Sequence, residues 1–265
     1  MTEGSQLKVM SKVADILELF RQEEDELGIT EISRKLDISK STVHRIVSSL
    51  HSIGLLCRAA DSQKYMLGFK LLELAEVLTR QLDVHKVALP YMRALRDQTN
   101  ETVALHLLRG RSRVCVAQVE GHHQLRRVYE EVGIGLPLYL GAAGKAIMAY
   151  LPPVEVEAIF LEARTGTTFD GKSVDTSSLQ KQLELVKKQG YAVTSAERTS
   201  GITSVASTIF KAGNTVAGSI NVSGPSSRFS RSKIDSYVQQ VMEVASLISR
   251  DLGSASGISL VVDLG

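Results

Sequence analysis

Residues 29–54 read Ile29-Thr-Glu-Ile-Ser-Arg-Lys-Leu-Asp-Ile-Ser-Lys-Ser-Thr-Val-His-Arg-Ile-Val-Ser-Ser-Leu-His-Ser-Ile-Gly54. Apolar residues recur here every three or four positions, as expected for two short helices that each bury one stripe. The turn at 36–39 would bring Ser39 to the start of the second helix, where its side chain could cap the free amides. The pattern therefore predicts a helix-turn-helix, whose buried residues would be Ile29, Ile32 and Leu36, then Val43, Ile46, Val47 and Leu50.

The outward face of the second helix carries short hydroxyls and long cations, with no acid among them: Lys40, Ser41, Thr42, His44, Arg45, Ser48 and Ser49. Such a face suits a helix that enters the major groove of DNA, because hydroxyls bind phosphate and cations reach phosphates or guanine edges. The alternative is an ordinary amphipathic hairpin with a solvated polar face. Two further features favour DNA.

The first feature is a predicted β-hairpin directly after the helices, Leu55-Leu-Cys-Arg-Ala-Ala-Asp-Ser-Gln-Lys-Tyr-Met-Leu-Gly68. Strand, polar turn and strand in this order are typical of the wing of a winged helix. The second feature is charge, because residues 1–32 sum to −5 and residues 33–70 to +5. The basic part coincides with the predicted DNA-facing elements. The residues expected to contact DNA are Thr30, Ser39, Lys40, Ser41, Thr42, His44, Arg45, Ser48, Arg58 and Lys64.

Composition limits the class of protein. A chain of 265 residues with 43% hydrophobic and 23% charged residues suits two soluble domains. The net charge of +2 does not by itself imply a polyanionic partner. Cys57 and Cys115 lie far apart, which argues against a disulfide framework and against paired metal ligands. Without a signal peptide or an apolar run of about 20 residues, we expect a cytoplasmic protein with no membrane partner.

The periodicity predicts an α+β protein with four parts. These are an N-terminal winged helix-turn-helix domain over 1–68, a linker helix over 69–83, a mixed domain over 84–252 with an antiparallel sheet flanked by helices, and a tail over 253–265. The linker helix has too many apolar positions for one stripe, so it would pack either against a second chain or against its own domains. Such sheets commonly carry a small-molecule pocket under the loops that cover one face.

Within the mixed domain, the segments expected to be extended are 102–121, 125–132, 136–139, 191–195, 202–211 and 215–223. The expected helices are 83–99, 142–151, 153–163, 177–189 and 234–252. The tail could add a strand at 258–262.

Some constellations resemble chemical sites without fitting them. Gly144-Lys145 lacks the first glycine and the Ser or Thr of a phosphate-binding loop, so Lys145 is expected on a helix surface or at an interface. Glu197-Arg198 fits a surface or hinge ion pair better than an acid–base pair. Adjacent histidines on a strand point to opposite faces, so no metal site is expected from His106, His122 and His123. We therefore expect no catalytic residue, metal or cofactor.

Seven short motifs, in order and at this spacing, resemble those of the IclR family of bacterial transcription regulators. They are Ile29-Thr-Glu-Ile, Ser41-Thr-Val-His-Arg-Ile, Tyr65-Met-Leu-Gly, Gly141-Ala-Ala-Gly-Lys-Ala-Ile-Met-Ala149, Gly190-Tyr, Glu197-Arg-Thr-Ser-Gly201 and Asn221-Val-Ser-Gly-Pro225. The resemblance covers the chain up to Leu252. It implies a GAF-like effector-binding domain over 84–252 and a ligand-responsive regulator of a catabolic operon. It also implies a homodimer or a dimer of dimers, bound to a palindromic double-stranded DNA operator.

The resemblance further implies a pocket at the sheet for a small organic acid. Its polar end would be held by the amides of Ala142 and Ala143, at a helix N-terminus that attracts anions. A small-residue helix packed tightly on a sheet is the alternative interpretation of this motif. The other implied effector contacts are Thr194, Ser204, Asn221 and Ser223, and the apolar residues Leu125, Val128, Leu136 and Ile202. The rival class is an enzyme or a sensor module that does not bind DNA, in which the helical hairpin is only structural.

Overall fold

The computed structural model describes residues 3–22, 26–60, 62–81, 83–128, 132–168 and 171–254. The chain divides into two compact units, 1–81 and 82–265, and each is described by itself. The fold class is the predicted one, a helical N-terminal unit followed by a mixed unit with an antiparallel sheet. Most of the tail, 255–265, and with it the possible strand at 258–262, lies outside the described residues.

The N-terminal unit is a winged helix followed by one more helix. Its elements are α1 (Glu3–Gln22), α2 (Ile29–Leu36), α3 (Lys40–Ser52), β1 (Leu56–Arg58), β2 (Tyr65–Leu67) and α4 (Lys70–Gln81). The two strands pair antiparallel, and the backbone of Leu27 pairs with that of Tyr65. The aliphatic stripes of α2 and α3 pack with α1 and the wing in one core, which includes Ile16, Ile32, Val43, Val47, Leu50 and Leu56.

Two backbone features shape this unit. Asp37 adopts a left-handed conformation (φ 52°) directly after α2, so the chain turns sharply into α3. Gly68 closes the wing where the backbone passes very near Gly54. A Cβ on Gly68 would lie 2.1 Å from the Gly54 carbonyl oxygen, so only glycine fits.

The C-terminal unit contains one six-stranded antiparallel sheet with strand order β5-β4-β3-β8-β7-β6. Its strands are β3 (Thr102–Arg109), β4 (Ser112–Val119), β5 (Gly135–Pro137), β6 (Tyr191–Ser195), β7 (Ile202–Lys211) and β8 (Thr215–Pro225). Its helices are α5 (Asp83–Thr99), α6 (Gly141–Met148), α7 (Pro153–Thr165), α8 (Thr176–Gln189) and α9 (Arg231–Asp251).

The two faces of this sheet differ in polarity because side chains alternate along each strand. One face is aliphatic and packs against α5 and α9, with Val103, Leu105, Val205, Ile220 and Val222 in the core. The other face carries small and polar residues, and it packs against α6. There, Thr208 Oγ1 donates to the Ala146 carbonyl (2.6 Å) and Ser219 Oγ to the Ala143 carbonyl (3.0 Å). The polar face therefore fixes α6 at the sheet.

One predicted extended segment, 125–132, is described only in part: 129–131 lie outside the described residues, and Val132 forms an isolated bridge with Cys115. Residues 125–128 are not a strand but part of an irregular loop that begins at Gly121. Two hydrogen bonds tie the backbone of this loop to other elements: Thr102 Oγ1 donates to the Arg127 carbonyl (2.6 Å) and Arg228 Nη2 to the Leu125 carbonyl (3.0 Å). Side chains, rather than a neighbouring strand, thus donate to the carbonyls of Leu125 and Arg127. Among the described helices, none is long and apolar enough to cross a membrane.

Candidate functional site

The polar face of α3 is a continuous exposed surface. Val43, Ile46, Val47 and Leu50 are buried, and the opposite side of the helix presents Lys40, Ser41, His44 and Arg45 to solvent, with Thr42 and Ser48 half-buried beside them. Thr30 and Ser39 are also exposed. The structure therefore brings the helix-turn-helix residues that were expected to contact DNA onto one surface.

Ser39 does not act as the predicted cap. Its side chain makes no hydrogen bond to an α3 amide. Instead, Ser39 Oγ lies 2.9 Å from Thr42 Oγ1 and 3.3 Å from Ser41 Oγ, within a group of three hydroxyls at the helix start. This hydroxyl group and the positive end of the helix dipole together suit a phosphate oxygen.

The two wing cations differ in their surroundings. The Arg58 guanidinium lies over the Tyr65 ring, 5.6 Å from its centroid, and is exposed. Lys64 Nζ lies 3.1 Å from Glu31 Oε1. The other carboxylate oxygen of Glu31 accepts from the Gly28 amide (2.6 Å), and this bond, with Lys64, lowers the pKa of Glu31 below its usual value. Lys64 thus ties the wing to α2, and Arg58 is the stronger candidate for DNA.

A cavity lies in the C-terminal unit between the start of α6 and the polar face of the sheet. Its volume is about 40 Å³, and it is partly open to solvent. Six of the predicted effector residues line it: Ala142, Ala143, Thr194, Ile202, Ser204 and Asn221. The sequence did not indicate the remaining lining residues, which are mostly charged or polar: His106, Arg113, Arg127, Gly141, Glu197, Arg198 and Thr199.

Four predicted effector residues do not line this cavity. Leu125 is on the irregular loop with 71% of its surface exposed, and Val128 is half-buried further along the same loop. Leu136 is in β5, paired with Arg113 of β4. Ser223 is fully buried and accepts a hydrogen bond from Asn221 Nδ2 (3.4 Å). Of the four apolar residues that the resemblance implied at the cavity, Ile202 is therefore the one that lines it.

The first two backbone amides of α6 already donate hydrogen bonds to side chains of the protein. The Gly141 amide donates to Glu197 Oε2 (3.0 Å), and the Ala142 amide donates to Thr194 Oγ1 (3.0 Å). A carboxylate at the helix start therefore belongs to the protein itself. This arrangement satisfies the orphan amides and places a negative charge where the helix dipole favours one.

Two expectations about nearby charges are wrong. Lys145 is buried, with 4% of its surface exposed, rather than on a helix surface. Its ammonium forms an ion pair with Glu197 and donates to Gln182 Oε1 (2.6 Å). Glu197 thus pairs with Lys145 of α6 rather than with its neighbour Arg198, because the segment after β6 turns Glu197 towards the helix.

Arg113 is the most deeply buried cation of the cavity, with 2% of its surface exposed. It donates to the Leu140 carbonyl (3.1 Å) and to His106 Nδ1 (3.3 Å). Burial lowers the pKa of His106 well below its usual value, and the charges of Arg113 and Arg198 lower it further, while a hydrogen bond with Asn221 acts in the opposite direction. His106 is therefore neutral at physiological pH.

The cavity thus combines three guanidinium groups with the Glu197 carboxylate, a neutral imidazole and the start of a helix whose first two amides already bond to side chains. Guanidinium groups bind carboxylates through paired, charge-assisted hydrogen bonds. Over the part of the chain that the structure describes, no cluster of His, Cys, Asp or Glu could hold a metal ion. His122 lies 3.1 Å from Asp97, while His106 is buried in the cavity. Positive charge exceeds negative charge among the side chains that line the cavity.

Two protein-family models match this chain, and together they cover most of it. The family model of the IclR helix-turn-helix domain matches residues 9–59, and that of the bacterial transcriptional regulator IclR C-terminal domain matches residues 76–250. The transcriptional regulator KipR of Bacillus subtilis is 30% identical over 93% of this chain and 97% of its own length. KdgR of Escherichia coli K12 is 31% identical over 87% of this chain and 88% of its own length.

A solved structure shows the same architecture. The crystal structure of the Thermotoga maritima IclR superposes with a TM-score of 0.79 at 27% identity, over 94% of this chain and all of that one. The matching curated proteins are named as transcriptional regulators, so the chain is a regulator rather than an enzyme. It belongs to the IclR family, with a DNA-binding helix-turn-helix domain and a C-terminal effector-binding domain.

Proposed function

We propose that the chain controls a catabolic operon in the cytoplasm by binding a palindromic operator as a homo-oligomer, and that a small organic acid changes its affinity for DNA. The observation that carries the proposal is the cavity with Arg113, Arg127 and Arg198 beside the start of α6. A buried or half-buried cluster of guanidinium groups suits a carboxylate better than a neutral ligand.

The exposed face of α3 supports operator binding. Lys40 and Arg45 are exposed cations one turn or so apart on this helix, and no carboxylate lies on its polar face. Their position suits contacts to phosphates, or in the case of Arg45 to a guanine edge in the major groove. In this proposal residues 1–68 form the DNA-binding domain and residues 84–252 the effector-binding domain. Residues 69–83 are the linker helix, and residues 253–265 are a C-terminal tail.

The exposed apolar residues of α4 and its N-terminal flank support a homo-oligomer. Phe69 is 82% exposed, Leu72 66% and Leu74 54%. Several exposed apolar side chains on one helix are typical of an interaction site, and a palindromic operator requires two recognition helices related by a twofold axis. We infer that a second copy covers this surface, and that half-sites lie about one turn of DNA apart, ~34 Å, or a multiple of it.

DNA binding is tested with sites selected from a random DNA library by the full-length protein. Affinity for the selected site is then measured by fluorescence anisotropy over a range of salt concentrations. Replacing both Lys40 and Arg45 by Ala should weaken binding and lower the salt slope by about 2, since each phosphate contact contributes about 0.9. Replacement of Lys211 and Lys233, two exposed lysines of the C-terminal unit, is the matched control. Unchanged affinity in the α3 variant would contradict the proposed recognition helix.

Assembly is tested separately by light scattering at micromolar protein concentration. The wild type should have at least the mass of a dimer. Leu72→Glu should shift the mass towards that of the monomer, because a charge in an apolar interface is desolvated without a partner. Leu161→Glu, at an exposed leucine of α7, is the matched control and should leave the mass unchanged. A monomeric wild type would refute the oligomer.

A further inference from the structure

A second cavity lies in the C-terminal unit, on the other side of Glu197 from the first. The start of α6, the loop before α8, the first turns of α8 and the end of β6 line it. Its volume is about 300 Å³, compared with about 40 Å³ for the first cavity. The smaller volume holds only a few water molecules, whereas the larger one reaches the size of small-molecule sites. The second cavity therefore has room for a small ligand without any rearrangement.

Glu197 is the boundary between the two cavities. Among the described residues that line them, it is the one that belongs to both. Its carboxylate accepts from the amide of Gly141, which lines the first cavity, and pairs with Lys145, which lines the second. A molecule in the second cavity would thus contact the residue that holds the start of α6, without entering the first cavity.

The charges around the second cavity balance, unlike those around the first. Lys145 and Lys172 line it together with two carboxylates, those of Asp175 and Glu197. Three arginines line the first cavity, and Glu197 is the one carboxylate among its described lining residues. Burying a charge without a counter-charge is costly. A lining without net charge therefore favours a neutral ligand over an acid or an amine.

Lys145 has hydrogen-bonding capacity that the protein does not use. Its side chain is 5% exposed, and its ammonium has three N–H donors and no acceptor. Within the described part of the chain, two acceptors take these donors, Glu197 and Gln182 Oε1 (2.6 Å). Gln182 Nε2 then donates to Ser178 Oγ (3.1 Å), so Ser178 accepts and keeps its own proton. One N–H of Lys145 and the hydroxyl proton of Ser178 remain for a ligand that offers oxygen.

Tyr139 and Asp175 add a further donor and an acceptor. Tyr139 is half-buried, and a Cβ on Gly166 would lie 2.4 Å from its hydroxyl oxygen, so the glycine makes room for this hydroxyl. Asp175 Oδ1 accepts from the Ser177 and Ser178 amides (3.0 and 3.1 Å), and Oδ2 has no partner within the described residues. Donors and acceptors around one cavity suit hydroxyl groups, because each hydroxyl both donates and accepts.

We propose that the second cavity is a binding site for a neutral polyhydroxylated molecule, a small sugar or a sugar alcohol, separate from the site of the proposed organic acid. Hydroxyl oxygens of the ligand would accept from Lys145, Ser178 and Tyr139, and a hydroxyl proton would go to Asp175. The inference goes beyond the proposed function. Its test requires neither operator DNA nor the acid, so the two proposals can fail independently of each other.

The experiment uses the full-length protein, with D-xylose, D-glucose and D-mannitol as neutral probes. Saturation-transfer NMR detects binding, and calorimetry gives the dissociation constants. D-gluconate and D-glucosamine are then compared by how well they displace the bound neutral probe, so that binding elsewhere on the protein is not counted. At least one neutral probe should bind, about tenfold or more tightly than either charged compound, because the cavity offers no uncompensated counter-charge. Failure of all three neutral probes to bind, or better displacement by a charged compound, would overturn the inference.

Two variants locate the bound probe. Tyr139→Phe removes one hydroxyl of the second cavity and should weaken binding about tenfold. Tyr150→Phe is the matched control, because Tyr150 is also half-buried but its hydroxyl lies 3.5 Å from the Lys187 carbonyl and lines neither cavity. Ser178→Ala should weaken binding in the same way and carries the test if Tyr139→Phe does not fold. Affinity retained in these two variants, or lost equally in Tyr150→Phe, would show that the probe binds elsewhere and would refute the site.

Discussion

The buried imidazole of His106 should make the stability of the protein depend on pH in a defined direction. The side chain is fully buried, and its pKa lies well below the usual value of 6.5 because of burial and then the charges of Arg113 and Arg198. In the unfolded chain the imidazole takes up a proton near pH 6.5, whereas in the folded protein it stays neutral to lower pH. Below pH 6.5 the unfolded state therefore binds more protons, and the free energy of unfolding falls as the pH falls.

The size of this effect follows from the linkage relation. Each pH unit between the unfolded and folded pKa values corresponds to about 1.4 kcal/mol. The contribution is fully present above pH 6.5 and is lost progressively as the pH falls from there towards the folded pKa. His106→Gln has no such proton. It should be less stable than the wild type at pH 7.5, and the difference between the two unfolding free energies should narrow as the pH falls below 6.5.

The measurement is the unfolding free energy of both proteins between pH 7.5 and pH 5.0, by circular dichroism and scanning calorimetry, since the chain has no Trp. Taking the difference between the proteins removes the contribution of the other five histidines. His44→Gln removes an exposed imidazole and controls for the substitution itself. A difference between wild type and His106→Gln that stays constant over this range would refute the argument that His106 is held neutral by its surroundings.

Three further predictions concern the C-terminal unit. Arg228→Met should destabilise it by about 3–5 kcal/mol, because Arg228 binds both oxygens of the buried Glu101 carboxylate (2.5 and 2.7 Å); chemical denaturation checks this, and adding Glu101→Gln should restore part of the loss. Gly144→Ala should cost about 1–3 kcal/mol, since its Cβ would lie 2.4 Å from the Leu138 carbonyl oxygen; Gly135→Ala, whose Cβ would lie in ordinary contact 3.6 Å from Ser112 Cβ, is the control in the same assay. Ser204→Ala should weaken effector binding about tenfold or more in calorimetry, and more than Ser223→Ala, because only Ser204 lines the cavity.

The helix-turn-helix could be predicted closely because local periodicity determines it. The apolar spacing of 29–54 gave both helices, and their observed bounds are Ile29–Leu36 and Lys40–Ser52. The strands β6 and β7 were also predicted with their observed bounds, Tyr191–Ser195 and Ile202–Lys211. In each case the buried face follows from residues close together in sequence, so the sequence pattern is sufficient.

Arg113 could not be predicted in the same way. It is the last cation of Arg109-Gly-Arg-Ser-Arg113, which reads as the exposed turn of a hairpin. Its burial depends on acceptors distant in sequence, the Leu140 carbonyl and the ring of His106. The burial of Lys145, which was expected on a helix surface or at an interface, was missed for a similar reason. Its partners Glu197 and Gln182 come from elements far along the chain. Buried charges are rare, so sequence alone favours exposure for both residues.

Glu197 makes the start of α6 a place where ligand binding and protein conformation are connected. Its carboxylate holds the Gly141 amide and the buried Lys145 ammonium, and it also lines the cavity. An anion that enters the first cavity is repelled by the Glu197 carboxylate. Binding therefore favours an arrangement in which this carboxylate lies farther from the cavity over the one in which it holds the start of α6. A ligand shifts such an equilibrium only as far as it binds one arrangement better than the other. The coupling is reciprocal, so whatever factor the effector imposes on operator affinity, the operator must impose on effector affinity. Titrating the effector with and without operator DNA therefore measures this factor, and a factor of one would mean that the effector does not change operator affinity.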